Sequence, residues 1–185
     1  MIRNPNNGKP IFIVDCDDVL NNLVSGWLDL YNIKYSDNLK IEGVKGWNIG
    51  NYTKIGDEMY VLLGSPGLFR NLDIQPDCYD VLKFLNEFFD IQIVSASTHM
   101  TYSDKAEWIL EKLPFIPISS FSSMKNKFLL TGALMLDDNP ENLKFFEGEK
   151  IIYTKPWNED INCYKRADNW KQVKVILEDY LERNQ

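Results

Sequence analysis

Short apolar runs alternate with stretches of helical periodicity along this chain. Ile11-Phe12-Ile13-Val14, Ile91-Gln92-Ile93-Val94, Ala133-Leu134-Met135-Leu136 and Ile151-Ile152-Tyr153 read as buried strands, the last of them as the final strand. Between them, Leu20, Leu23, Trp27 and Leu30 or Tyr31 predict a helix over 19–31. Val81, Leu82, Phe84, Leu85, Phe88 and Phe89 give one broad apolar face to a helix opening at Pro76-Asp77. Trp108, Ile109 and Leu113 face inward from a helix capped by Ser103 or Asp104, and Trp170, Val173, Leu177, Tyr180 and Leu181 mark a C-terminal helix. Phe115 to Ile118 reads as a further strand, followed by a polar loop from Ser119 to Lys127, and Asn139-Pro140 pairs a cap with a first-turn proline. Four or five short strands separated by helices predict an α/β fold with a parallel sheet and right-handed crossovers.

One stretch breaks this rhythm. From about 32 to 73, six glycines punctuate Trp47, Tyr52, Tyr60 and Phe69, with a single short helical stretch near Asp57 to Leu63, the texture of an insertion rather than of sheet elements. At 185 residues and 44% hydrophobic content the chain can bury a full core as one domain, 1–185, with a small inserted subdomain over about 20–75. A net charge of −7 and the lack of a basic stripe argue against a nucleic-acid backbone or an anionic membrane as partner. Cys16, Cys78 and Cys163 have no CxxC spacing, so neither a disulfide framework nor a zinc site is suggested. With no apolar signal core and no membrane-length run, the expected location is cytoplasmic.

The candidate chemistry lies where strands end. Asp15-Cys16-Asp17-Asp18 and Asp137-Asp138 each follow an apolar run directly, and in an open parallel sheet the carboxyl ends of strands are where ligands bind. Asp17-Asp18 alone would suit a solvated turn or a calcium loop. The strand before Asp15 and the second acid pair favour a divalent metal and an anionic substrate. In an extended strand end Asp15 and Asp17 project to one side and Cys16 to the other. One carboxylate can attack phosphorus while the other protonates the leaving oxygen and then activates water, with magnesium neutralising both acids and phosphate. Ser95, at a third strand end, could donate to a phosphate oxygen, although a serine there is more often a turn former. Lys127, ten residues before Asp137, could return an ammonium to the same rim, with Lys125 competing. A single histidine, His99, excludes a multi-histidine centre; no GxxxxGK[ST] loop and no basic thiolate loop is present.

The ordered set Asp15-x-Asp17-x-Val19, Ser95, Lys127 and Asp137-Asp138 resembles the haloacid dehalogenase-like phosphohydrolases. Ser65-Pro66-Gly67-Leu68-Phe69-Arg70-Asn71-Leu72, Lys105-x-x-Trp108 and Lys155-Pro156-Trp157-Asn158 narrow the likeness to the 5'(3')-deoxyribonucleotidase branch, over about 11–158. The resemblance implies a Rossmann-like core flanked by helices, a small mainly helical cap inserted after the first strand, and magnesium-dependent hydrolysis of nucleoside monophosphates through an aspartyl-phosphate. It implies Asp15 as nucleophile and Asp17 as general acid/base. Magnesium would be held by Asp15, the Asp17 main chain and one or both of Asp137 and Asp138, and phosphate by Ser95, Ala96 and Lys127. Asp18 departs from the glycine common in relatives, in a tight turn that aspartate tolerates better than most residues.

Trp47, Phe69 and Trp157 are candidate walls of the substrate pocket, with packing inside the cap as the competing role. Deoxyribose preference rests on the resemblance alone. A sugar phosphate or another small metabolite is the competing substrate, and a binding module without turnover the competing class; the second of the two acids, Asp17, argues against the latter. Nucleic-acid ends are disfavoured by the acidic charge. Exposed aromatics in the insertion permit a homodimer.

Overall fold

β1 (Ile11–Asp15), β2 (Asp90–Ser95), β3 (Phe121–Ser123), β4 (Leu134–Asp137), β5 (Glu149–Tyr153) and β6 (Lys165–Ala167) form one parallel sheet in the computed structural model, which describes residues 2–184. The strands lie in the order β3-β2-β1-β4-β5-β6, that of a doubly wound, Rossmann-like sheet. Five α-helices accompany them: α1 (Leu23–Tyr35), α2 (Cys78–Leu85), α3 (Tyr102–Lys112), α4 (Pro140–Leu143) and α5 (Trp170–Arg183).

The alternation of side chains along each strand sorts the core into two layers. Phe12, Val14, Ile91, Ile93, Leu134, Leu136, Ile151 and Tyr153 join a large apolar cluster with the buried faces of α1, α2, α3 and α5. Their strand neighbours Ile13, Val94, Met135 and Ile152 join a smaller cluster with Leu143 of α4 and Phe146. Both faces of the central strands are therefore covered, which is why these strands read as continuous apolar runs. Gly148, at the entry to β5, approaches the β4 entry so closely that an added Cβ would stand 2.5 Å from the Ala133 carbonyl oxygen.

The sequence reading departs from the structure at edges and boundaries. The sheet has six strands, and β5 is not the last. β6 was missed because two of its three residues are Lys165 and Arg166, charges that an edge strand tolerates. Phe115–Ile118 is not a strand: Pro114 precedes it and Pro117 lies within it, removing a ladder donor, and the edge strand lies instead in Phe121–Ser123, within the stretch read as a polar loop. α1 starts at Leu23 rather than at 19, because Asp17–Leu20 is spent on a turn in which Asp18 is left-handed at φ +60° and donates its N–H to Asn21 Oδ1. α3 has Thr101 at its N-cap rather than Ser103 or Asp104, and Phe88, past the end of α2, is exposed. The Asn139 cap on Pro140 is present, accepting from Glu141 N at 3.0 Å.

Between β1 and α2 the chain runs through α1 and then four 3-10 segments, Ile41–Gly43, Ile49–Tyr52, Gly56–Gly64 and Phe69–Asn71. Aromatic side chains tie this stretch together and to α3. Trp27 Nε1 donates to the Met59 carbonyl at 3.1 Å, Tyr31 Oη accepts from Lys54 N at 2.8 Å, and Trp108 Nε1 of α3 donates to the Leu72 carbonyl at 2.7 Å. None of the described helices is long and apolar enough to cross a membrane.

Candidate active site

Strand order reverses between β1 and β4, and a crevice opens at their carboxyl ends. In the register Phe12–Leu134, Ile13–Met135 and Val14–Leu136, the next residues along the two strands are Asp15 and Asp137. The pleat sends both to the same face, and both are buried. Between them stands Lys127, itself buried, whose ammonium reaches Asp15 Oδ1 at 2.5 Å and Asp137 Oδ2 at 2.7 Å. Lys127 arrives from the 3-10 turn Lys127–Leu129. Asp137 is further held by Asn139 N at 2.9 Å and by Asn142 Nδ2 at 3.0 Å, so both its oxygens are engaged.

One oxygen from each of Asp15, Asp137 and Asp138 lies within 4.8 Å of the others. Three buried carboxylates around one ammonium leave an excess of negative charge, and its cost is visible in their proton affinities. Burial, reinforced by Asp137 and Asp17 and opposed by Lys127, pushes Asp15 up to about 7. Burial and the neighbouring Asp15, Asp137 and Asp18 hold Asp138 well above the usual carboxylate range. Burial would lower Lys127, but Asp137 and Asp15 outweigh it and keep the ammonium charged. A hard divalent cation fits this donor set: convergent oxygens, unpaid charge and no nitrogen or sulfur ligand in the group.

Asp17 faces a second ammonium. Lys105 of α3, buried, bonds Asp17 Oδ2, donates to Ser95 Oγ at 2.8 Å and to the Ala96 carbonyl at 3.0 Å, and lies 4.6 Å from the centre of the Phe69 ring. Ser95 Oγ also donates to Asp17 Oδ2 at 3.1 Å. The first two acids thus face different lysines, Asp15 facing Lys127, which it shares with Asp137, and Asp17 facing Lys105. Lys105 stands in the Lys105-x-x-Trp108 element of the sequence without a role assigned to it there. A signal was available, because Lys105 sits three and four residues before buried Trp108 and Ile109 and so shares their inward face.

A cleft of about 460 Å³ opens over these groups. Asp15, Asp17, Lys127 and Asp138 lie at its base with Lys125 and Ala96, while Leu23, Val24, Trp27, Trp47, Ile49, Tyr60 and Trp157 form an apolar wall. Of the three aromatics read as pocket walls, Trp47 and Trp157 line the cleft and meet edge to face at 6.5 Å. Phe69 does not line it; it is buried beneath Lys105, the packing role that competed for it. Trp27 reads from its helical spacing as a core residue of α1 and Tyr60 as one of the insertion's aromatics, while Ile49 carries no signal; the 3-10 turns that hold Ile49 and Tyr60 give no periodicity from which a shared face with Trp27 can be read. Cys16 points away from the cleft and is fully buried, as strand alternation requires. Ser95 is buried behind Asp17 rather than lining the cleft. Asp18 accepts the Val24 N–H at 3.1 Å at the start of α1, and burial, opposed by Lys155 and that N–H, pushes it up to about 7.

The chain matches, over residues 9–181, the family described as "5' nucleotidase, deoxy (Pyrimidine), cytosolic type C protein". It is 39% identical over 172 residues to a 5'(3')-deoxyribonucleotidase of Clostridium acetobutylicum, covering 92% of this chain and 96% of that one. A 5'(3')-deoxyribonucleotidase of Bacillus subtilis is 33% identical over 171 residues, with 91% and 99% covered. Among solved structures, a haloacid dehalogenase-like protein from Agrobacterium tumefaciens superposes with a TM-score of 0.63 at 13% identity, covering 94% of this chain and all of that one. A haloacid dehalogenase family hydrolase from Deinococcus radiodurans, solved with bound phosphate and sodium, superposes with a TM-score of 0.60 at 8% identity, with 92% and 96% covered. The acid pairs, the two lysines and the Rossmann-like sheet therefore stand in a chain that belongs to the cytosolic type C 5'-nucleotidase family and has the fold of haloacid dehalogenase-like hydrolases.

Proposed function

We propose that this protein is a magnesium-dependent phosphomonoester hydrolase acting on deoxyribonucleoside monophosphates in the cytoplasm. One observation carries the reading: Asp15 lies at the base of an apolar-walled cleft, pinned by Lys127 and flanked by Asp137 and Asp138, with Asp17 beside it on a lysine of its own. Asp15 is the nucleophile. A carboxylate oxygen forms a bond to phosphorus as the bond to the leaving oxygen breaks, giving an aspartyl-phosphate and an alcohol. Asp17 supplies the proton to the leaving oxygen and removes one from the water that attacks phosphorus in the second step, restoring Asp15 and releasing phosphate. Lys105 and Ser95 hold Asp17 in place for both transfers. Asp15, Asp138 and the Asp17 main chain would hold magnesium, with Asp137 beside them; when bound it supplies positive charge against the carboxylates and the substrate phosphate. Ala96 at the cleft base and the Lys127 ammonium meet the phosphate oxygens, with Ser95 behind them.

The segment over about 20–75 acts as a cap. It contributes Trp27, Trp47, Ile49 and Tyr60 to the cleft wall, and aromatic and aliphatic surface of that extent suits a nucleobase better than the hydroxyls of a sugar phosphate. The names of the curated relatives support the deoxyribonucleotide over other phosphomonoesters. Phosphate release from a panel of deoxyribo- and ribonucleoside monophosphates and sugar phosphates, with magnesium and with a chelator, tests the proposal. Magnesium-dependent release favouring deoxynucleotides is expected. Release from sugar phosphates alone would discard the nucleotidase reading, and release undiminished by the chelator would discard the cation.

A further inference from the structure

Trp157 is the point at which the cleft wall touches the acid cluster. Its indole Nε1 donates to Asp138 Oδ2 at 2.8 Å, while its ring lines the cleft and meets the edge of Trp47. The loop that carries it is built to hold it there. Asn158, buried, donates through Nδ2 to the Asp138 carbonyl and the Tyr153 carbonyl, both at 2.8 Å, and its Oδ1 accepts from Lys155 N at 3.1 Å. Arg166 of β6 clamps the same loop, reaching Asn158 Oδ1 at 3.0 Å and the Asn158 carbonyl at 2.9 Å, and bonding the Ile161 carbonyl. An ion pair of Lys45 with Glu159 at 3.0 Å joins this loop to the inserted segment on its outer side.

The consequence concerns the carboxylate rather than the ring. Asp137 has both oxygens engaged by Lys127, Asn139 and Asn142, whereas Asp138 gives one oxygen to the indole and has no other side-chain hydrogen bond among the described residues. We propose that Trp157 is a positioning residue for cation binding: its N–H fixes one oxygen of Asp138 so that the other is presented to the cation between Asp138 and Asp15. This rests on the cation site of the proposed function. Outer partners of this kind typically change metal affinity by about 10–100-fold when lost. A cleft aromatic whose only task is packing would be replaced best by another hydrocarbon ring. A hydrogen-bond donor would be replaced best by a ring that keeps an N–H, so the two roles rank substitutions oppositely.

The test is calorimetric titration of the full-length, chelator-treated protein with magnesium chloride, without substrate, for the wild type, Trp157→Phe and Trp157→His. Chelator melting temperatures are read in parallel. The expected result is a magnesium Kd weakened about 10-fold or more in Trp157→Phe and substantially restored in Trp157→His. An unchanged Kd in Trp157→Phe overturns the proposal, and so does a loss shared equally by both variants that tracks a fall in melting temperature, which would assign Trp157 to packing. A wild type with no magnesium affinity overturns the cation site and this inference together. Magnesium binding by a wild type that releases phosphate from no nucleotide would sink the nucleotidase reading alone, and the Phe and His comparison would still decide Trp157.

Discussion

Asp15 shares its ammonium neighbour Lys127 with Asp137, whereas Asp17 has Lys105, and this division sets what single substitutions do. Asp15→Asn and Asp17→Asn remove charge from an over-acidic cluster, so both variants fold, and each loses turnover by at least about 10³-fold in a phosphate-release assay. Wild-type-like turnover in either would remove that residue from its role. Lys105→Met leaves Asp17 without its cation and Ser95 without its donor. A loss of about 2–3 kcal/mol in urea denaturation is expected, below that of a fully buried pair because Asp17 keeps some solvent access, together with a steep fall in kcat. At this scale the acids were legible in the sequence because charged residues directly after apolar strands have few structural explanations. Lys105 shares the inward face of α3 with Trp108 and Ile109 by its spacing, but that it meets Asp17 depends on how α3 packs against the end of β1, which spacing does not give.

The central strands carry the site because their pleat and register are set by burial on both sides. One added methyl group at Gly148 tests how tightly β4 and β5 entries are joined: Gly148→Ala drives a Cβ toward the carbonyls of Ala133 and Gly132, both of them backbone. Destabilisation of about 2–3 kcal/mol is expected by thermal or urea unfolding, and a loss under about 0.5 kcal/mol would show that the β4–β5 approach is looser than drawn. β1, β2, β4 and β5 were readable as elements for the same physical reason that makes them rigid, namely that both faces are apolar. The edge strands β3 and β6 were not, since three residues with one exposed side carry almost no apolar signal. The stretch from about 32 to 73 reads as an insertion from its glycines and aromatics, but Ile49 and Tyr60 emerge from irregular 3-10 turns in which sequence spacing does not fix direction.

Taken as a whole, the molecule folds around charge that it cannot neutralise with its own lysines. Burial pushes Asp15 and Asp18 up to about 7 in the folded chain against an ordinary value of 3.8, and Asp138 is raised in the same direction. Between these values the folded state holds protons that the unfolded chain has released, so these groups make stability fall as pH rises from about 4 to about 7. In chelator, the melting temperature is therefore expected to be lower at about pH 8 than at about pH 5.5, and millimolar magnesium should raise it most at the higher pH, where the carboxylates are charged. A melting temperature indifferent to magnesium at about pH 8 would contradict the cation site.

The sequence by itself determined that strands deliver two acid pairs to the carboxyl edge of a parallel sheet, because buried strands, their ends and the alternation of side chains are local properties of the chain. It also determined the family, through residues spread from Asp15 to Asn158. Tertiary structure alone decided which lysine serves which acid, that Phe69 supports the site from beneath while Trp27, Ile49 and Tyr60 wall it, and that the Trp157 indole grips Asp138. Those pairings join residues far apart in sequence, and they are fixed by strand order and by loops clamped through Asn158 and Arg166, for which no local pattern exists.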